Sequence, residues 1–185
     1  MKRYKKYNKH YILHSQLDLP FLETRDDFLE KIFSTLEKRF KLKKDSRQNL
    51  IDLGAGDGRI IEYSALNYHI ISVGIEINKN LVDEVNSRIE KFKKSQKVGI
   101  QILEKMKMEH GDIYEQTLMD FQYIYIFSLP TMQKYLKHVF NTACKGAIFI
   151  AYKYPLENFK YLKLKYKLIL SEKLGIKAFF YEKTF

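Results

Sequence analysis

The run Asn49-Leu50-Ile51-Asp52-Leu53-Gly54-Ala55-Gly56-Asp57-Gly58-Arg59-Ile60-Ile61 holds the residues best suited to chemistry. Its apolar start reads as a buried strand, and three glycines at alternate positions follow. Glycines so placed let the backbone turn sharply and let a ligand lie against the peptide units. Asp52 sets a carboxylate beside that turn. The spacing Asp-x-Gly-x-Gly-x-Gly departs from the dinucleotide fingerprint Gly-x-Gly-x-x-Gly and from the phosphate loop ending in Gly-Lys-Ser/Thr. No lysine follows Gly58, which argues against a triphosphate cradle.

Further acids close later apolar runs. Glu76 ends Tyr68 to Ile77, a stretch rich in β-branched residues. In strand–turn–helix nucleotide folds an acid there accepts from both ribose hydroxyls. Asp112 follows Met106 to His110 and Gly111. It is placed to accept from an adenine amino group while Ile113 packs on the ring, and the other reading is an ordinary turn aspartate. His10, His14, His69, His110 and His138 show no metal-ligand spacing, so no metal is expected. Cys144 is read as a small buried apolar residue. As the single cysteine it excludes an intramolecular disulfide and fits a reducing compartment.

These groups need elements to position them. Phe28, Leu29, Ile32, Phe33, Leu36 and Phe40 recur at helical intervals, with Thr24 as the expected N-cap and Asp27 three residues on. Arg59 to Leu66 reads as the first crossover helix. Leu81 to about Lys105 reads as mostly helical, with a break at Val98-Gly99 and a basic end of Lys91, Lys93, Lys94 and Lys97. Tyr123 to Phe127 and Ala147 to Tyr152 read as the fourth and fifth strands, with a helix from Thr131 to about Phe140 between them. Leu164 to Leu170 and Ile176 to Tyr181 read as a closing antiparallel pair. Alternation of strands and helices predicts an α/β fold with a parallel sheet covered on both faces. Ligands of such sheets lie beyond the carboxyl ends of the strands, and Asp52, Glu76, Asp112 and Phe127 to Pro130 all fall there.

Composition bounds the rest. The 185 residues suffice for one domain with a sizeable core, and 45% hydrophobic content argues against global disorder. Lys+Arg 33 against Asp+Glu 22 gives a net charge of +11, which favours polyanionic partners or acidic protein surfaces, the other reading being charge that simply maintains solubility. Residues 1–17 read as an N-terminal arm, with Lys2, Arg3, Lys5, Lys6 and Lys9 among tyrosines, and residues 18–185 as the single domain. No apolar run approaches the roughly 18 residues that span a bilayer, and no apolar core follows the basic N-terminus. A soluble cytoplasmic protein without membrane contact is expected.

Asp52 to Gly58, Gly74-Ile75-Glu76-Ile77-Asn78 and Gly111-Asp112-Ile113 resemble the first three motifs of class I, seven-strand methyltransferases that use S-adenosylmethionine. The longer runs Asp52 to Ile61 and Gly74 to Asn78 are similar to small archaeal protein lysine methyltransferases and their mitochondrial relatives. Those carry a Pro-aromatic-Val-Pro-Thr segment before the first helix, matched by Pro20-Phe21-Leu22-Glu23-Thr24 apart from Glu23. Their fourth motif is matched loosely by Phe127-Ser128-Leu129-Pro130-Thr131. The resemblance implies a Rossmann-like, seven-stranded, mostly parallel sheet with a C-terminal antiparallel strand pair. It implies S-adenosyl-L-methionine held by Thr24, Asp52, Gly54, Ala55, Gly56, Glu76, Ile77, Asp112, Ile113 and Phe127, with Phe127 and Ser128 at the point of transfer.

The implied acceptor is a lysine ε-amino group of a protein, reached through a channel for which Phe21, Phe127 and Tyr152 are placed. The Asn/Asp-Pro-Pro-Tyr/Phe loop of methyltransferases acting on amino groups of bases or glutamine is missing. An RNA methyltransferase, suggested by the charge and the Lys/Tyr arm, is one alternative. A protein that binds the cofactor without turnover is another. A monomer is expected.

Overall fold

The computed structural model describes residues 24–95 and 99–185. The basic arm, the Pro20 to Glu23 segment with Phe21, and Lys97-Val98 lie outside the described residues. One sheet of seven strands organises the chain: β1 (Asn49–Leu53), β2 (Ile71–Glu76), β3 (Met106–His110), β4 (Tyr123–Ile126), β5 (Ile148–Tyr152), β6 (Leu162–Ser171) and β7 (Ile176–Lys183). Their order is β3-β2-β1-β4-β5-β7-β6. The first five are parallel, and β7 is antiparallel to both β5 and β6. Strand order therefore reverses at β1, and the chain leaves β1 and β4 side by side at the switch point where such sheets bind ligands.

Each strand feeds two cores by alternation. Leu50, Tyr123, Tyr125, Ile148, Ile150, Tyr152, Ala178 and Phe180 face one side. There they meet α1 (Asp26–Phe40), α2 (Arg59–Tyr68), α3 (Lys79–Ser95) and α4 (Ile100–Leu103). Ile51, Leu53, Ile124, Ile126, Phe149, Phe179 and Tyr181 face the other side. That face is covered by a 3-10 turn (Ile113–Glu115), by α5 (Pro130–Gln133), by a 3-10 turn (Lys134–Leu136), by α6 (Lys137–Asn141), and by Leu156, Phe159 and Tyr161. The central strands are buried on both faces and largely apolar, with β4 and β5 buried at every residue and Asp52 of β1 a buried exception.

The helices follow their sequence patterns. In α1, Phe28, Leu29, Ile32, Phe33 and Leu36 form the buried stripe, and each such side chain contributes about 2 kcal/mol of burial. Asp26 and Asp27 lie in its first turn and Lys38 and Arg39 in its last, both favourable to the helix dipole. Lys41 ends it in a left-handed conformation, its N–H donating to Leu36.

The structure corrects several expectations. Thr24 does not cap α1: Arg25 holds the N-cap position without a side-chain hydrogen bond, and the Thr24 hydroxyl bonds instead to the buried Tyr125 hydroxyl at 3.0 Å. A long-range partner has won over the local cap. Tyr68 belongs to α2, which ends at a left-handed His69, so β2 starts later, at Ile71. The helix expected from Thr131 to Phe140 is broken by the 3-10 turn into α5 and α6. Cys144 is exposed, because it sits in the turn before β5, where its thiol donates to the Met119 carbonyl at 3.1 Å.

The edge strand β6 bears Lys163, Lys165 and Lys167 at its surface, with Lys165 paired to Glu182 on β7 at 2.6 Å. No helix among the described residues is long and apolar enough to cross a membrane.

Gly74 shows how closely the elements approach. A Cβ there would lie 2.7 Å from both the Ala55 Cβ and the Met108 Sδ, and the backbone of the glycine loop cannot retreat without losing its seat on β2. Gly74→Ala is expected to cost about 2 kcal/mol of stability, read as a lower urea midpoint with unchanged slope.

Candidate functional site

The glycine loop between β1 and α2 is closed onto β2 by its own amides. Gly54 and Ala55 both donate to the Ile75 carbonyl at 2.9 Å, and Gly58 donates to Ala55 at 2.9 Å. Gly56 donates to Glu76 Oε2 at 2.9 Å. Arg59 N–H donates to Asp57 Oδ1 at 3.3 Å. With these five N–H groups engaged inside the protein, the loop has no fan of amides to offer a phosphate. It offers surface instead. Gly54 is exposed at φ +88°, and a Cβ there would meet nothing within 4 Å, so the space over its peptide is open. At Gly58 (φ +78°) a Cβ would press on Val85 at 2.9 Å, which seats the start of α2 against α3. Ala55 is buried with its Cβ toward Gly74, so it approaches the open space by its backbone alone.

Three carboxylates surround this loop. Glu76, half-buried at the end of β2, accepts from Gly56 with one oxygen and from the Asn78 N–H with the other, each at 2.9 Å. A carboxylate has about four lone-pair sites, so capacity remains for two further donors, as a ribose diol would supply. Asp52 is buried in register between Gly74 and Tyr125. Desolvation first, then the charges of Glu76 and Asp57, push its carboxyl well above the ordinary aspartate value. Asp57 is held by Arg59, whose guanidinium reaches its carboxylate at 2.6 Å and the Thr24 carbonyl at 3.0 Å. Arg88 grips the Asp57 carbonyl and pairs with Glu62 at 2.6 Å. The rim of the loop is acidic in a chain of net charge +11, a setting that favours a cationic ligand.

The expected site residues gather at the carboxyl ends of the strands. Asp112 caps the 3-10 turn through one oxygen, which accepts from Tyr114 N–H at 2.9 Å. The turn-aspartate role is therefore real, and the second oxygen is free of that bond. Ile113 is buried beside Ile75 in the second core. Ile77 is half-buried, and its carbonyl lies 3.0 Å from His110 Nε2, so that imidazole is turned to the backbone. Ser128 is buried at the end of β4.

Phe127 is half-buried within a row of rings. It meets Tyr152 edge-on, with centroids 6.2 Å apart, and stacks on Tyr154 at 5.9 Å. Tyr152 in turn stacks on Tyr125 at 6.3 Å. Burial raises the Tyr125 hydroxyl well above its usual value and also raises that of Tyr152. Both stay neutral, so the wall they form is uncharged.

Sequence reasoning missed Arg59 as a tie to Thr24, Tyr125 as the partner of Thr24, and Tyr154. The alternation of β4 was a usable signal for Tyr125, which shares the face of Asp52. Arg59 opens α2 and Tyr154 lies in the bend after β5, and at neither place does periodicity assign a direction. No group of three or more His, Cys, Asp or Glu that could hold a metal is found among the described residues.

Asp52 carries a pH signature. Its carboxyl is raised in the folded state, so the protonated form favours folding. Its contribution to stability is fully present below the unfolded value near 4 and is lost as pH rises through the folded value. Asp52→Asn is expected to raise the melting temperature of the ligand-free protein near pH 7.5. That gain shrinks as pH falls toward about 4, in a series of thermal scans.

The family model described as the ANTKMT methyltransferase domain matches residues 52–163, more than half of the chain. No curated protein matches the sequence. Among solved structures, one described as an RNA methyltransferase from Salinibacter ruber in complex with S-adenosyl-L-homocysteine superposes with a TM-score of 0.69. It is 18% identical, over 88% of this chain and 94% of that one. A variant of MtNAS in complex with S-adenosylmethionine superposes with a TM-score of 0.63 at 9% identity, over 95% of this chain and 71% of that one. At such identities the superpositions speak for the fold. With the sheet order, the glycine loop and the family match in agreement, the chain belongs to the family of the ANTKMT methyltransferase domain and has the fold of class I, S-adenosylmethionine-dependent methyltransferases.

Proposed function

We propose that this methyltransferase uses S-adenosylmethionine to methylate the ε-amino group of a lysine in a protein substrate. The residues fit the cofactor. Glu76 has acceptor capacity for a ribose diol, and the open face of Gly54 admits close approach. Asp52 supplies negative charge for the amino group of the methionine part. The second oxygen of Asp112 and the side chain of Ile113 suit an adenine edge and face. When bound, the cofactor supplies an electrophilic methyl on a sulfonium.

The chain's own contribution at the acceptor side is alignment and exclusion of water. A lysine must be neutral to act as nucleophile, and a low-polarity aromatic wall disfavours ammonium relative to amine. Phe127, Tyr152 and Tyr154 form such a wall at the ends of β4 and β5. The observation that carries the acceptor class is Lys153. Its ammonium lies 5.4 Å from the Tyr154 ring centroid, on the ring that stacks on Phe127. The outer ring of the wall, Tyr154, thus lies against a lysine ammonium, as it would against the methylated cations that transfer produces. The family name and the resemblance to small lysine methyltransferases support the same reading.

The second reading is methylation of RNA. The net charge of +11 favours it, as does the description of the Salinibacter ruber structure as an RNA methyltransferase. Against it, the aromatic wall is followed by Ser128-Leu129-Pro130, which lacks the amide side chain that holds a base amino group.

Two experiments test the proposal. Glu76→Ala removes the acceptor for both hydroxyls and frees the Gly56 and Asn78 amides. Calorimetry is expected to show S-adenosylmethionine affinity reduced about 100-fold, the equivalent of about 3 kcal/mol for charge-assisted hydrogen bonds. Unchanged affinity would sink the cofactor assignment. Methyl label transferred to a cell lysate is expected to survive nuclease and be lost to protease, and the reverse pattern supports RNA.

A further inference from the structure

A cleft of about 270 Å³ lies on the sheet face covered by α5 and α6, the face opposite the one toward which Tyr125 and Tyr152 turn. Pro130, Gln133, Lys134 and Lys137 form one side, and Glu157, Asn158 and Phe159 the other. Both walls grow directly from the site. Pro130 is two residues beyond Ser128, so the chain holds them within about 7 Å. Glu157 follows β5 and the Tyr152 to Tyr154 turn. The buried Gln133 ties the two walls together: its Nε2 donates to the Pro155 carbonyl at 2.8 Å, and its Oε1 accepts from Glu157 N–H at 3.2 Å. The cleft is thus preformed. Lys134 and Lys137 are exposed at its mouth, and neither has a carboxylate partner among the described residues.

We infer that this cleft docks an acidic segment of the protein substrate that flanks the target lysine. The inference rests on the lysine-methyltransferase reading above. The Lys134 ammonium lies 4.8 Å from the Tyr135 ring centroid; two exposed ammonium groups not paired to a carboxylate attract acids, and the short chain link from Ser128 to Pro130 favours residues close in sequence to the acceptor. The cleft also contains the Glu157 carboxylate and the apolar Phe159 and Pro130, and no arginine. A polypeptide carries both the acids that Lys134 and Lys137 attract and the N–H donors that Glu157 accepts. That mixed pattern favours protein over RNA as occupant.

The test uses the full-length chain and two synthetic peptides with the same central lysine, one flanked by aspartate and glutamate and the other by asparagine and glutamine. The acidic peptide is expected to have a KM about fivefold lower at low salt, in keeping with two exposed ion pairs, with equal kcat. In Lys134→Gln/Lys137→Gln, a surface change remote from the cofactor loop, KM for the acidic peptide rises about fivefold. KM for the neutral peptide and kcat for both stay unchanged.

Fluorescence anisotropy of the labelled peptides reads binding without turnover. Binding of the acidic peptide that depends on the two lysines, with methyl transfer to neither peptide, supports the docking cleft and removes the lysine reading. Methyl transfer with equal KM for both peptides overturns the cleft and leaves the lysine reading intact. Binding of a single-stranded oligoribonucleotide that is lost in the double variant, with no lysine-dependent peptide binding, also overturns it.

Discussion

The bond from Gly56 N–H to Glu76 governs the site, because it lets one carboxylate serve two structures at once. The glycine loop must close on the end of β2 before any ligand arrives, and Glu76 together with the Ile75 carbonyl closes it. The same Glu76 retains acceptor capacity facing the open space over Gly54. Gly74 makes this possible from beneath, since any side chain there would lift Ala55 and the loop with it. The loop is therefore preorganised in the sense that matters for affinity: its amides are ordered in the ligand-free chain, and binding does not have to order them.

Charge is distributed against the average. The chain is strongly basic, yet Asp52, Asp57 and Glu76 crowd the loop, and the Asp52 carboxyl is raised in the ligand-free state by its burial first and by the charges of Glu76 and Asp57 second. Arg59 and Arg88 answer Asp57 but leave Asp52 buried without an ion-pair partner among the described residues. A positively charged ligand beside Asp52 would lower the cost of its ionised form. At the ends of β4 and β5 the surface is instead a row of rings, Tyr125, Tyr152, Phe127 and Tyr154. Cation-seeking and neutral surfaces thus meet at the end of β4, as a reaction between a sulfonium donor and a neutral amine would need.

Much of this was legible in the sequence because it is periodic or glycine-dependent. Leu50 to Leu53, Tyr123 to Phe127 and Ala147 to Tyr152 read as strands because residues buried on both faces must be apolar. The three glycines, Glu76 and Asp112 could be placed at strand ends because the alternation of elements admits few topologies. What escaped was long-range. Thr24 has the sequence context of a helix cap, and only the folded sheet brings Tyr125 close enough to compete for its hydroxyl. Cys144 looked like a core residue by type, but it lies in a turn whose burial no pattern encodes. The break between α5 and α6 follows from Gln133 turning inward to pin the Pro155 to Glu157 loop, a tertiary demand invisible in local propensity.

The lysines along β6 bear on how the sheet ends. An edge strand presents unpaired amides and carbonyls to any other strand that comes near, and exposed ammonium groups are among the devices that discourage such pairing. Lys163, Lys165 and Lys167 put positive charge along the outermost strand, so a second copy approaching edge to edge would bring like charge against like. Part of the basic excess therefore lies where it would oppose pairing of one open sheet edge with another.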